Sequence, residues 1–493
     1  MIVGIDLGTT KSVIGYWHEN KPRIVQARGT QSLPSEVFFL NDKVAVGHQP
    51  TEKEYTYVAG FKRHLGRDQT IRINSTQRTH PQYVAAIILK ELVSLAELDM
   101  KEMGYEEQVD EAVIAIPSHF DISQRRATLE AASIAGLKVK RLINEATASA
   151  LEYTRNRNIG EKLLVIDLGG GTLDLSYIET ISEDKEPDSA ALQVLRIEGD
   201  TFLGGLDFDL KIRNWLQEQL LEQFGTENID QALKESGTKT DHDLQKEIAE
   251  KKKRLSDQKE IRLHVPAGII KNGVEILPEF ILTREKFLDI TEPLMKRIVT
   301  KVKPLLNSEN KTKVLLLGRA GHTYGLKSYL EEKLNITCYR DLDAETCVAK
   351  GAIIQSAIFT GALKERLVME VLQDNYGVEL EDNGYHIFLH KGKIIPANAA
   401  YEFQPNNKEA TELRVNILKG GHAKASKNTL VQTIVIKRPS DKDQNKIKID
   451  FKMNTDMVLE VDIQGSSFII SSPDGLSNDE VSKYKQSISK KSN

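Results

Sequence analysis

Residues 163–178 read LLVIDLGGGTLDLSYI. Asp167 and Asp174 flank three consecutive glycines, Gly169, Gly170 and Gly171, which are followed by Thr172. Glycines at a tip let backbone N–H groups approach an anion closely and form a concave nest. Two carboxylates beside that nest would repel a bare phosphate. They make sense with a hydrated divalent cation between them and the anion, and Mg²⁺ is the usual one. A solvated glycine hairpin would explain one such motif equally well. Residues 2–16, IVGIDLGTTKSVIGY, have the same plan, however: an apolar run, then Asp6, Leu7, Gly8, Thr9 and Thr10, then a second apolar run. A repeat at long spacing organises the whole chain, and two such tips face to face would clamp a polyphosphate from both sides.

Strand-length apolar runs on either side of each tip predict β-hairpins. Between them, residues 81–98 carry apolar positions at helical spacing, and residues 111–116 form a strand stopped by Pro117. Residues 121–135 read as a helix capped by Asp121, residues 141–144 as a short strand, and Glu145 opens a helix. After the second hairpin come a strand (192–198), a glycine loop before a helix (199–209), a strongly charged helix (243–256) and helices over 283–306. A buried-type strand (313–317), a loop, GRAGHTYG (318–325), and a helix of small residues (344–360) follow. Lys62 lies beside a turn in 60–66, where a lone lysine is ordinarily a surface charge.

The chain has 493 residues, 40% hydrophobic and 28% charged, with a formal net charge of −4. These values belong to a globular protein with more than one domain and argue against a general nucleic-acid binder. Cys338 and Cys347 have no metal-ligand spacing and read as reduced thiols. No leader segment and no membrane-length apolar run are visible, so the expectation is a soluble cytoplasmic protein with no membrane partner. At Gly361 the texture changes. Residues 362–370 form a short connector, and residues 371–470 alternate at about ten-residue spacing, the pattern of a β-sandwich. Residues 471–493 are polar and rich in Lys and Ser, expected to be a short frayed helix.

Several segments together resemble the DnaK-type, 70-kDa heat-shock chaperone family: IDLGTT (5–10), FKRHLGR (61–67), AVIAIP (112–117), IAGLKVKRLINE (134–145), DLGGGTLD (167–174), GDTFLGGLDFD (199–209) and SSPDGLSNDE (471–480). They run in family order over nearly the whole chain. The resemblance implies an α/β, actin-like (ribonuclease H-like), two-lobed ATPase domain over 1–361 and a linker over 362–370. An all-β sandwich that binds peptides over 371–470 and a polar remnant of a lid over 471–493 follow, with no helical lid. It implies a stress-response chaperone that slowly hydrolyses ATP to ADP and phosphate with Mg²⁺ and holds unfolded or extended polypeptides. A J-domain co-chaperone and a nucleotide-exchange factor would be its partners.

The same resemblance assigns roles. Gly8, Thr9, Thr10, Lys11, Gly169, Gly170, Gly171, Thr172, Gly204 and Gly205 would cradle phosphates. Asp6, Asp167 and Asp174 would hold hydrated Mg²⁺. Lys62 and Glu145 would orient the attacking water, with Asp174 and Thr172 in the catalytic set; phosphoryl transfer needs mainly positioning and electrostatics. Lys252, Lys253, Ser256, Gly318, Arg319 and His322 would border the nucleoside. Pro117, Arg141, Asn144, Thr147 and Glu370 would couple linker to ATPase, and Val378, Phe403 and Leu413 would line the peptide pocket.

The chain departs from the family at Lys11 (small or aromatic there), Ala146 (proline), Leu206 (acidic) and Ala249 (glutamate, unless Glu250 serves). The loop 318–325 departs most: Arg319 replaces a glycine, His322 the base-stacking arginine and Tyr324 a proline. Arg366 interrupts the apolar linker, and Glu381 takes an apolar arch position. The expected protein is a lidless chaperone with a weakened base site and fast peptide release. A nucleotide-regulated scaffold is the alternative, and a small-molecule kinase a weaker one.

Overall fold

In the computed structural model of this chain, the repeat read from the sequence is a repeat of sheets. The structure describes all residues except 41–42, 52–54, 75, 156–159, 183–189, 225–237, 267–268, 272–273, 307–311, 364–366, 405–410, 438–445, 471–474 and 492–493. Strands Ile2–Asp6 and Lys11–His18 form an antiparallel hairpin, with Lys21–Ile24 beyond. Glu111–Ile116 and then Lys138–Asn144 join the other side in parallel. The second sheet has the same plan. Lys162–Leu168 and Leu173–Ser182 pair antiparallel with Ala190–Asp200 beyond, and Thr312–Leu317 and Cys338–Tyr339 join in parallel. Parallel neighbours need long crossovers, which is where the helices lie.

Helices Glu145–Thr154 and Cys347–Phe359 pack on one another beside both sheets. A shared apolar cluster, including Val113, Ala146, Ala148, Val165, Leu317 and Ala352, fills the space. The small residues of the second helix have a physical reason: a Cβ on Gly351 would fall 1.9 Å from the Ala148 carbonyl oxygen. Each hairpin tip therefore emerges at the cleft between two lobes built on one plan.

Beyond residue 371, two four-stranded antiparallel sheets pack face to face. One runs Tyr385–Leu389, Tyr376–Glu379, Glu412–Lys419, Thr429–Lys437; the other runs Ala397–Phe403, Ile447–Met453, Leu459–Ile463, Ser466–Ile469. Inward residues such as Phe388, Ile417, Phe451 and Val461 form their core, and the alternation read from sequence is this in–out pattern. No helix among the described residues is long and apolar enough to cross a membrane.

Two expectations are corrected. The segment expected to be only a connector contributes a strand, Val368–Val371, which pairs in parallel with Ala190–Asp200 and antiparallel with Ile394–Ile395. An edge strand offers unpaired N–H and C=O groups, and an apolar stretch of chain satisfies them. Arg366 lies outside the described residues.

The tail is a helix, as expected, but docked rather than frayed. Asn478–Lys491 is a helix, and Leu476, Val481, Tyr484 and Ile488 pack on the core beneath helices Pro81–Glu102 and Ile122–Ile134. Tyr484 stacks on Tyr83 at 4.5 Å between ring centroids, and the Tyr83 hydroxyl meets Ser487 Oγ at 2.9 Å. The Ser477 and Glu480 side chains bond reciprocally to each other's backbone N–H, a capping box. Its apolar stripe carries about one residue per turn, so composition hides it.

Candidate active site

The two hairpin tips meet. A Cβ on Gly170 would lie 2.4 Å from Thr10 Oγ1, and one on Gly171 would lie 2.5 Å from Thr9 Cγ2. Helix Gly205–Phe224 starts against the second tip: Gly205 N–H donates to the Gly169 carbonyl (3.0 Å) and Leu206 N–H to that of Gly170 (2.8 Å). Gly204 leaves room for Gly171, whose carbonyl carbon a Cβ would approach to 2.6 Å. Thr9, Thr10, Gly169, Gly170, Gly171, Gly204 and Gly205 thus meet in one cradle of backbone and hydroxyls, with Gly8 and Thr172 adjoining in the two tips, and a helix N-terminus there favours anions.

Beneath it lies a buried acidic cluster. Asp167 and Asp174 are cross-strand partners in the hairpin, Asp6 ends the matching strand of the other lobe, and Glu145 opens its helix. Lys62 Nζ donates to Glu145 Oε1 at 2.5 Å, with both side chains almost fully enclosed. Burial raises the Asp6 carboxyl, against the pull of Lys62 and Arg319. Burial, with Glu145, Asp174 and Asp6 adding like charge, raises Asp167 well above the ordinary range. Burial pushes Glu145 up to about 7, with Lys62 opposing.

So much carboxylate around one lysine suits a further cation. Among the described residues, no three acidic, histidine or cysteine side chains could grip one ion directly. Buried carboxylates facing one cleft fit an ion held through its water shell, which Mg²⁺ keeps readily. Asp174 Oδ2 is buried with no hydrogen-bond partner, an acceptor left over for that shell.

Lys11 does not point into open solvent. Its Nζ (3.1 Å), Ser32 Oγ (2.5 Å) and the Arg319 guanidinium (2.8 Å) converge on Glu345 Oε1. Burial opposes charge on Glu345, but Ser32, Lys11 and Arg319 hold its carboxyl below the usual range. Gly318 must be glycine: its φ is +74° and a Cβ would lie 2.4 Å from Asp167 Oδ1.

On the far side of the start of helix Gly205–Phe224, Lys252 Nζ donates to the Gly205 carbonyl (2.8 Å) and pairs with Asp209 (2.7 Å). Burial and the nearby cations Lys11, Arg319 and Lys252 lower Lys253. Ser256 Oγ donates to the His322 carbonyl at 3.4 Å, and the His322 side chain is exposed. Tyr324 is covered by the Arg284 guanidinium, 4.3 Å from its ring centre.

Glu345, Arg284, Ser118, His119 and the Arg63–Asp207 ion pair across the cleft carry no local signal in the sequence. Their partners are far away in the chain and no local spacing marks them, although Arg63 stands beside Lys62 in a segment already singled out.

Of the residues expected to couple linker and cleft, Arg141, Asn144 and Glu370 come together, while Pro117 and Thr147 lie nearer the acidic cluster. Arg141 Nη2 reaches the Val368 carbonyl (3.4 Å), and Asn144 N–H reaches Glu370 Oε1 (3.4 Å). The fully buried Arg125 donates to Asn144 Oδ1 at 2.8 Å. Burial raises the Glu370 carboxyl, with Arg141 and Arg125 opposing. Leu142 N–H donates to Asp456 of the sandwich at 2.8 Å, and Lys419 lies 3.7 Å from Asp121. Pro117 precedes Ser118, whose N–H donates to Asp174 Oδ1 at 2.5 Å. Thr147 is buried in the same helix as Glu145, and its hydroxyl has no partner. In the sandwich, Val378 is 3% exposed and belongs to the core, with the partly buried Phe403 and Leu413 packed against that core. Glu381 lies in an exposed turn.

Two hairpin-tipped lobes around an acidic cleft, with a β-sandwich joined through a docked strand, define the class of protein. The family profile described as Hsp70 protein matches residues 2–491. "Chaperone protein DnaK" of Mycoplasma mobile (strain ATCC 43663 / 163K / NCTC 11711) is 30% identical over 475 residues, covering 93% of this chain and 75% of that protein. The chain belongs to the Hsp70 family, whose members are chaperone ATPases.

Proposed function

We propose that this chain is an ATP-dependent chaperone that hydrolyses ATP to ADP and phosphate and transiently holds extended or unfolded polypeptide. Residues 1–361 would be the ATPase domain, 362–370 the linker and 371–470 the peptide-binding sandwich. The observation that carries the reading is the physical continuity of the two ends. Strand Val368–Val371 extends a sheet whose central hairpin bears Asp167 and Asp174, and on its other side pairs with Ile394–Ile395.

In this reading the glycine tips and Thr9, Thr10 and Thr172 cradle the phosphates. Lys62 and Glu145 hold a water in line with the terminal phosphorus, and Glu145, buried and close to neutrality in its proton balance, shares the water's proton. Asp6, Asp167 and Asp174 would hold Mg²⁺ through its waters. When bound, the ion supplies neutralising charge to the phosphate oxygens. Closure of Arg63 on Asp207 and on the Gly171 carbonyl (2.9 Å) excludes bulk water from the cradle.

Unfolded peptides, a J-domain co-chaperone and a nucleotide-exchange factor are the partners this reading implies. A nucleotide-regulated scaffold with weak turnover is the second reading. It is favoured by the exposed His322 and by Tyr324, already covered by Arg284, where base contacts are needed. Turnover of ATP measured with and without an unfolded peptide separates the two. Stimulated hydrolysis supports the chaperone, and binding without turnover supports the scaffold.

A further inference from the structure

His119 lies in the turn between strand Glu111–Ile116 and helix Ile122–Ile134 of the first lobe, yet both its ring nitrogens contact the second. Nδ1 is 2.9 Å from Asp174 Oδ1, and Nε2 is 3.0 Å from Thr201 Oγ1. The side chain is 13% exposed. An ionised carboxylate only accepts hydrogen bonds, so Nδ1 carries a proton and donates to Asp174, while Nε2 pairs with the Thr201 hydroxyl, which can donate or accept.

The second lobe has a slot for this ring. Gly199 is the cross-strand partner of Asp174, and a Cβ there would stand 2.5 Å from His119 Nδ1. The Ser118 N–H also donates to Asp174 Oδ1, so two donors on neighbouring residues fix the same oxygen. The other oxygen, Oδ2, is buried and without a partner.

We propose that His119 is a positioning residue of the hydrolytic site: with the Nδ1–H that the Asp174 carboxylate requires, it pins Asp174 Oδ1 across the lobe boundary and leaves Oδ2 presented to the cleft. The inference rests on the ATPase reading, with Asp174 serving at the reacting centre. A carboxylate held by one oxygen has its remaining lone pairs fixed in direction, and loss of such a supporting partner costs about 10–100-fold in activity. Because His119 belongs to one lobe and Asp174 to the other, the carboxylate is oriented only when the lobes are closed.

Single-turnover hydrolysis and ATP affinity should be measured for wild type, His119→Leu, His119→Asn, Thr201→Val and Gly199→Ala. Asparagine places an amide donor near Nδ1, so His119→Asn should restore much of the rate that His119→Leu loses. Gly199→Ala should behave like His119→Leu, and Thr201→Val should fall between. ATP affinity should stay unchanged throughout. Equal rates in His119→Leu and wild type, or no rescue by asparagine in a folded variant, overturn the proposal. A second readout is independent of turnover: ¹⁵N spectra of histidine-labelled protein should show the Nδ1–H tautomer for His119, and an Nε2–H tautomer refutes it. A wild type that binds ATP without hydrolysing it overturns the ATPase reading itself, and with it the catalytic consequence of His119, whatever the tautomer.

Discussion

Replacing Lys62 with methionine removes the one lysine paired with Glu145 while keeping the aliphatic stem. The pair is 2.5 Å long, with side-chain exposures of 3% and 10%. Stranding a buried charge ordinarily costs about 3–5 kcal/mol of stability. Here the cost is smaller, because Glu145 is already held near 7 and takes up a proton instead. A carboxyl that already titrates near 7 is half protonated at neutral pH, so completing its protonation costs only about 0.4 kcal/mol there, which a domain of this size survives. Hydrolysis suffers more. A pre-organised group facing developing charge is worth about 10²–10³ in rate, or about 3–4 kcal/mol. Single-turnover hydrolysis at saturating ATP should therefore fall by about that factor, while the binding of a fluorescent ATP analogue changes little. Rapid hydrolysis at the wild-type rate in the folded variant would refute the assignment of Lys62 to the reacting centre.

Four further outcomes follow from particular contacts. Glu145 has its folded pKa raised from 4.5 to about 7, so its contribution to stability is full below pH 4.5 and is lost as pH rises through 7. In nucleotide-free protein, thermal melting at pH 5.5 and 7.5 should show that loss, and Glu145→Gln should flatten the difference. His322→Arg should tighten ATP binding by about 1 kcal/mol, about fivefold, and sharpen preference over GTP in calorimetry; tight, adenine-selective binding by the wild type would contradict the weakened base site. Tyr484→Ala should release the helix Asn478–Lys491, costing about 2 kcal/mol locally and speeding its amide exchange about 30-fold while the sandwich is unchanged. Asp456→Ala, which removes the acceptor of Leu142 N–H, should reduce peptide stimulation of hydrolysis more than the basal rate, and equal reductions in both would argue against coupling through that contact.

The chemistry was legible where it is local. The spacing of Asp6 with Thr9 and Thr10, and of Asp167 with the glycines and Asp174, dictated hairpins with bare tips, since only those residue types combine close backbone approach with flanking carboxylates. The alternation beyond residue 371 dictated a sandwich in the same way. Residues 376–379 and 397–403 carry little strand signal of their own and are strands, because partners in the neighbouring ladder supply what their short patterns lack.

The sequence by itself determined the repeated hairpins and the change to β structure, because each is written in the period or spacing of a few neighbours. Tertiary structure decided what the cleft residues face. Glu345 meets Lys11 from 334 positions away, His119 reaches Asp174 across a lobe boundary, and Tyr484 finds Tyr83. It also decided that the connector is a strand and the tail a docked helix. Both segments are too short or too sparsely apolar to specify structure alone. Each is stabilised by what another part of the chain leaves open: a sheet edge in one case and an exposed apolar helix face in the other.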